Sequence, residues 1–354
     1  MRYNAYATHN PVKATNKRIA IGGAMNTKRL FLSVLLFLVL LLGLLNFDCT
    51  FRGSHNLSPT GDSNPAEYDY SSSIFSGGLQ RTYNVHVGSS YDKTRPTPLL
   101  IVLHGGGGTG QGMTALTNFN AIADRENFII VYPDGFENHW NDGRGVQQYR
   151  AQIQNVDDVG FISSLIDRIS DELNIDARRI YVTGISNGAM MSHRLGCELS
   201  QKIAAIAPVA GNIPVNMASI WAPSRPVPVL IINGTDDPLV PWAGGDVHFG
   251  SLELGQVLSV EDTVKFWVTN DKCPSLPLVT QLPDKDPSDR TRVRTEIYGG
   301  CQDGAEVVLY AVEGGGHTWP GGLQYLPESI IGRTSRDFDA SEVIWQFFKE
   351  HPIK

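Results

Sequence analysis

Apolar runs without a polar break alternate along the chain with stretches whose apolar residues recur every three or four positions. Residues 98–103, 128–132, 180–182, 228–232 and 307–312 are such runs, rich in Val and Ile, which is the pattern of strands covered on both faces. Between them, Ile162, Leu165, Ile166, Ile169 and Leu173 fall at helical spacing, and Val343, Ile344, Phe347 and Phe348 give a last helix one apolar face. Residues 80–87 alternate apolar and polar positions, which predicts an antiparallel edge strand. Strands alternating with helices predict an α/β fold: a mostly parallel, doubly wound sheet with helices on both faces.

The first 73 residues break this pattern. Residues 1–29 hold Arg2, Lys13, Lys17, Arg18, Lys28 and Arg29 and no acid. Residues 30–47 are almost wholly apolar, and residues 48–73 are rich in Ser, Pro, Gly, Asn and Asp. A basic segment before an apolar one is an export signal or an inside-facing membrane anchor. Its length suits either, so cleavage and anchoring through residues 30–47 both stay open. Either way the globular part, residues 74–354, is expected outside the cytoplasm, beyond a flexible linker over 48–73. Phe47-Asp48 before Cys49 makes a poor lipidation signal.

Charged residues are 18% of the 354, with a net charge of −7 and no basic patch with interleaved aromatics, which argues against a nucleic-acid partner. No Cys or His pair has metal-ligand spacing, and no cofactor is expected.

Candidate chemistry gathers where predicted strands end. The run 180–182 leads into Gly184-Ile185-Ser186-Asn187-Gly188, a serine between glycines on a sharp strand-to-helix turn. Such a turn pushes the hydroxyl out of the backbone, and the following helix aims free N–H groups at it. The run 98–103 leads into His104-Gly105-Gly106-Gly107-Gly108, whose bare backbone suits an oxyanion hole formed by the N–H groups of Gly106 and Asn187. After 228–232 comes Asn233-Gly234-Thr235-Asp236-Asp237-Pro238, and after 307–312 comes Gly314-Gly315-Gly316-His317-Thr318-Trp319. A carboxylate just past a strand end can fix the tautomer of a histidine that serves a serine. The order Ser186, Asp237, His317 is that of α/β-hydrolases. His104 reads as a brace for its loop rather than a base.

These segments together resemble the polyhydroxybutyrate depolymerase/feruloyl esterase group of α/β-hydrolases, related to carbohydrate esterase family 1. The matching residues also include Tyr132-Pro133-Asp134-Gly135, Trp140-Asn141-Asp142-Gly143-Arg144, Asp157-Asp158-Val159-Gly160-Phe161 and Ala204 to Gly211, so the resemblance spans about residues 75–350. It implies a serine esterase with Ser186, Asp237 and His317 as its triad, acting on aromatic, acetyl or hydroxyalkanoate esters. It also implies Asp237 rather than Asp236, since the acid of similar hydrolases stands three residues after the glycine. One departure is Asn233, where relatives often have histidine.

Export makes disulfides possible. Cys273 and Cys301 bracket a proline-rich polar excursion that a bridge would pin, and the resemblance favours the same pair; Cys197 reads as a buried thiol. Trp140, Trp242 and Trp319 lie near the site loops, where aromatic rings can stack on a sugar or phenolic acid, Trp319 foremost. Two other readings stand beside ester hydrolysis: a non-catalytic glycan- or polyester-binding hydrolase fold, and acyl transfer by the same triad.

Overall fold

The computed structural model describes residues 69–354; the basic segment, the apolar segment and residues 48–68 of the expected linker lie outside the described residues. The strands in chain order are β1 (Tyr70–Ser76), β2 (Leu79–Val87), β3 (Thr97–Leu103), β4 (Ile129–Pro133), β5 (Ile175–Ile185), β6 (Ala205–Val209), β7 (Val229–Gly234), β8 (Gly245–Phe249), β9 (Leu252–Val257), β10 (Leu278–Gln281), β11 (Arg292–Tyr298) and β12 (Val307–Glu313). Ten of them form one sheet in the order β1-β2-β4-β3-β5-β6-β7-β12-β11-β10. The six central strands, β4 to β12 in that order, pair in parallel. The outer two on each side are antiparallel.

Alternate residues of the parallel strands feed two separate cores. Leu99, Ile101, Val182, Ile206, Ile231 and Leu309 face one side, under the helices Asp158–Glu172, Asn187–Glu198 and Val260–Asn270. Leu100, Val102, Tyr181, Ala207, Ile232 and Val308 face the other, under Phe119–Glu126 and Ala340–Glu350. The continuous apolar runs in the sequence are this double coverage, and the expected doubly wound architecture is the one observed. Parallel strands also end on one edge, so the loops after β3, β5, β7 and β12 share a side of the sheet.

Three regions differ from expectation. The alternating segment is antiparallel but is not the edge: β1 lies outside β2. β1 also takes residues 70–73 from the expected linker. Its serines satisfy themselves across the hairpin, Ser71 Oγ to Asn84 at 2.6 Å and Gln80 to Ser73 Oγ at 3.0 Å, while Tyr70 and Ile74 pack on the core. The polar excursion after Cys273 carries β10 and β11, which extend the sheet, and Cys273 and Cys301 are bonded to each other. The third difference is the two-stranded sheet β8–β9, which packs Val247, Leu254 and Val257 on Val146, Met190 and Val240. No helix of the described residues is long and apolar enough to cross a membrane.

Candidate active site

Ser186 joins β5 to the helix Asn187–Glu198 with φ 58° and ψ −119°, a conformation that costs a non-glycine residue of order 1–3 kcal/mol. Its surroundings hold it there. Ser186 N–H donates to Val209 at 3.0 Å, and Met190 N–H donates to the Ser186 carbonyl at 3.0 Å. A Cβ at Gly184 would lie 2.7 Å from the Leu103 carbonyl oxygen, and one at Gly188 would lie 2.5 Å from it. Only glycine on both sides lets the turn close against β3. A serine before a helix ordinarily caps it with its hydroxyl. Ser186 makes no such side-chain cap, so its Oγ is left to the half-buried site.

The loops after β7 and β12 meet. His317 Nδ1 donates to Asp237 Oδ2 at 2.7 Å, with both side chains almost fully buried. The other oxygen of Asp237 accepts from the backbone N–H groups of Leu239 and Val240, each at 2.8 Å. That carboxylate therefore has one orientation, aimed at the imidazole. Asp236 is exposed and accepts from Thr235 Oγ1 at 3.1 Å instead. With Nδ1 donating to Asp237, Nε2 presents the lone pair a general base needs.

The glycine loop lies against the serine. A Cβ at Gly105 would be 3.4 Å from Ser186 Cβ. Within the loop, Gly107 N–H goes to Asn138 at 2.8 Å and Gly108 N–H to Gly105 at 3.0 Å, while the Gly106 N–H is not engaged among the described residues. Asn187 opens its helix, so its N–H is one of the donors a helix leaves unpaired. Its side chain is tied down: Oδ1 accepts from Trp140 N–H at 2.8 Å, and Nδ2 donates to Asp142 at 2.6 Å. Asp142 is in turn paired with Arg144 at 2.8 Å, both buried.

His104 spends both ring nitrogens on this loop. Nε2 accepts from Gly135 N–H at 2.9 Å, so Nδ1 is the donor to Gly105 O at 2.7 Å. Burial pushes its pKa down to about 4, which keeps it neutral.

Two of the three tryptophans are corrected. Trp140 and Trp319 are 0% and 1% exposed, and a ring with no open face cannot stack on a substrate. Trp140 lies beside His104 with centroids 5.0 Å apart and donates Nε1 to the His104 carbonyl at 2.9 Å. Trp319 donates Nε1 to Ser341 Oγ at 3.0 Å and packs edge-on against Phe119. Both support loops from beneath. Trp242 is half-buried against the first core. Sequence reasoning missed Tyr325, whose hydroxyl donates to the His317 carbonyl at 2.7 Å while the residue as a whole is 40% exposed. It also missed His139 and Tyr149 beside Gly106; only the fold brings them there.

Residues 87–249 match the family model described as Phospholipase/Carboxylesterase, a span that holds Gly106, Ser186 and Asp237. The protein NocK of Nocardia uniformis subsp. tsuyamanensis is 28% identical over 277 residues, 76% of this chain and 79% of its own length. The bifunctional acetylxylan esterase/xylanase XynS20E of Neocallimastix patriciarum is 28% identical over 236 residues, 66% of this chain and 31% of its own. Feruloyl esterase B of Piromyces equi is 27% identical over 235 residues, 65% of this chain and 41% of its own.

The chain is an esterase of the α/β-hydrolase fold.

The resemblance to the polyhydroxybutyrate depolymerase/feruloyl esterase group is borne out by these relatives. This esterase spans less than half the length of the last two, which extend beyond the shared domain. Among solved structures, the acetyl xylan esterase from Aspergillus awamori matches it with a TM-score of 0.49 at 14% identity, over 70% of this chain and 94% of that one.

Proposed function

We propose that this esterase cleaves carboxylic esters through an acyl-enzyme on Ser186, with His317 as general base and Asp237 orienting it. The observation that carries the reading is the pairing of His317 with Asp237 on the same sheet edge as the elbow serine. His317 Nε2 takes the proton of Ser186 Oγ as the oxygen attacks the ester carbonyl. The N–H groups of Gly106 and Asn187 hold the tetrahedral oxyanion, supported by the positive end of the helix Asn187–Glu198. His317 then protonates the leaving alcohol, and water repeats the sequence in reverse.

The relatives' names, acetylxylan esterase and feruloyl esterase, support acetyl and feruloyl esters of plant polysaccharide as substrates; the sequence resemblance adds hydroxyalkanoate esters as a third class. The basic-then-apolar N-terminal pattern and the Cys273–Cys301 bond support action outside the cytoplasm.

The test is Ser186→Ala. Its turnover of p-nitrophenyl acetate is expected to fall by roughly 10⁴ to 10⁶ with the fold intact. A purified variant that keeps a tenth of the wild-type rate overturns the mechanism. A panel of methyl ferulate, acetylated xylan and polyhydroxybutyrate then ranks the substrate classes.

A further inference from the structure

The connection between β4 and the helix Asp158–Glu172 brings against the glycine loop two side chains that the proposed mechanism leaves unused. His139 and Tyr149 stack on each other, with ring centroids 3.9 Å apart at 33°. Both border Gly106. A Cβ at that residue would lie 3.2 Å from Tyr149 Oη, 3.4 Å from His139 Cδ2 and 3.6 Å from His139 Nε2. A Cβ there would already crowd the phenol oxygen, so the missing side chain is what lets both polar rings come up to the backbone beside the N–H assigned to the oxyanion.

The protons on these two side chains can be assigned. His139 Nδ1 stands 2.8 Å from the Glu137 carbonyl, which can only accept, so Nδ1 carries the hydrogen. Nε2 is then a lone pair, and it has no hydrogen-bond partner among the described residues. Burial first, then the Arg144 charge, holds the imidazole below its ordinary pKa; the Glu137 carbonyl and the Asp142 and Glu137 charges pull the other way without reversing it. His139 is thus neutral at pH 7. Burial raises the Tyr149 phenol, so it keeps its proton, with the Arg144 guanidinium 5.9 Å from its ring centroid. One acceptor and one donor side by side complement a hydroxyl, which donates once and accepts as well. A carboxylate would face the Nε2 lone pair, and a cation would face Arg144.

We propose that His139 and Tyr149 form a hydroxyl-recognising subsite beside the oxyanion hole, and that preferred substrates carry a hydroxyl close to the ester carbonyl. The inference rests on the ester-hydrolysis reading above. Such a hydroxyl comes from either side of the ester: the acyl chain, as in a 3-hydroxyacyl group, or the alcohol, as in a sugar whose neighbouring hydroxyl is free.

Two matched pairs separate those sources. Ethyl 3-hydroxybutyrate against ethyl butyrate tests the acyl side, and 2-hydroxyethyl acetate against ethyl acetate tests the alcohol side. In the wild-type enzyme, kcat/KM is expected to favour the hydroxylated member of at least one pair by about tenfold or more. Tyr149→Phe removes one polar atom and His139→Phe removes both ring nitrogens, each keeping an aromatic ring in place, and each should bring that ratio towards one. A ratio measured within one variant cancels any loss of folded enzyme, and either variant alone carries the test if the other does not fold. Wild-type ratios near one for both pairs, or a preference undiminished in the variants, overturn the subsite. Failure of the underlying reading looks different: Ser186→Ala would keep its rate on ethyl butyrate.

Discussion

Two histidines stand at the ends of glycine runs on one sheet edge, and the structure gives them opposite properties. His104 follows β3 and precedes four glycines; His317 follows β12 and three glycines. Both are buried, at 1% and 3% exposure. The difference is in what their ring nitrogens meet. His104 has both taken by backbone groups, a carbonyl and an N–H, neither of which can change protonation. It is a fixed neutral brace. His317 has one nitrogen on a carboxylate that can stabilise an imidazolium, and the other is left for a reacting partner. A histidine's chemistry is therefore set less by its burial than by whether its partners tolerate a second proton.

The largest expected effect breaks that comparison directly. His317→Ala should lower turnover of p-nitrophenyl acetate by roughly 10⁴ to 10⁶, with thermal stability changed by only a few degrees. His104→Ala should do the reverse in kind. It leaves Gly135 N–H and the Gly105 carbonyl without their partner and opens a cavity under the loop, at a cost of about 2–4 kcal/mol of stability. Steady-state kinetics beside urea unfolding reads both. Equal losses of turnover in the two variants at equal stability would show that His104 takes part in the chemistry.

A smaller effect separates the two carboxylates of one turn. Asp237→Asn keeps the shape but presents an amide to Nδ1, favouring the wrong tautomer, and should reduce turnover by roughly 10⁴. Asp236→Asn alters an exposed side chain bonded to Thr235 and should leave turnover within about twofold. A reversed pattern would mean that the Asp237–His317 bond belongs to a resting arrangement and not to the working one.

The site was readable to the extent that it sits at strand ends. Ser186, Asp237 and His317 each follow an apolar run, and glycines around each announce a tight approach of backbone. The tryptophans were misread because nearness in sequence to a catalytic loop says nothing about which side of the loop a ring takes; Trp140 and Trp319 lie beneath theirs. β1 was hidden by its serines, whose partners are on β2 and not in water alone. β10 was hidden because all four of its residues are exposed, so no buried face leaves an alternating pattern. His139 and Tyr149 lie on a connection without periodicity, where only the three-dimensional path brings them to Gly106. The motif residues Trp140 to Arg144 prove to be wiring: Asp142 ties Asn187, Gln152 and Arg144 together behind the elbow.

The smallest effect sharpens the contrast through pH. Burial lowers His104 to about 4, and burial lowers His193, which accepts from Trp267 Nε1 at 3.0 Å, to about 3. In the unfolded chain both titrate near 6.5. Below that pH the unfolded state binds a proton that the folded state refuses, so stability is full above about 6.5 and is lost as pH falls towards the folded values. At pH 5 each should cost roughly 2 kcal/mol relative to neutral pH. His86 works against them. Burial would lower it, but its bond to Asp69 and the charges of Asp69 and Asp124 raise it, so its contribution grows as pH falls. A direct comparison removes such background terms: unfolding free energies in urea at pH 7.5 and 5.0, for wild type and for His104→Gln. Glutamine does not titrate, so the acid-induced loss should shrink by about 2 kcal/mol in the variant. An identical loss in both proteins would mean that His104 accepts its proton in the folded state, and the contrast with His317 would fail at its root.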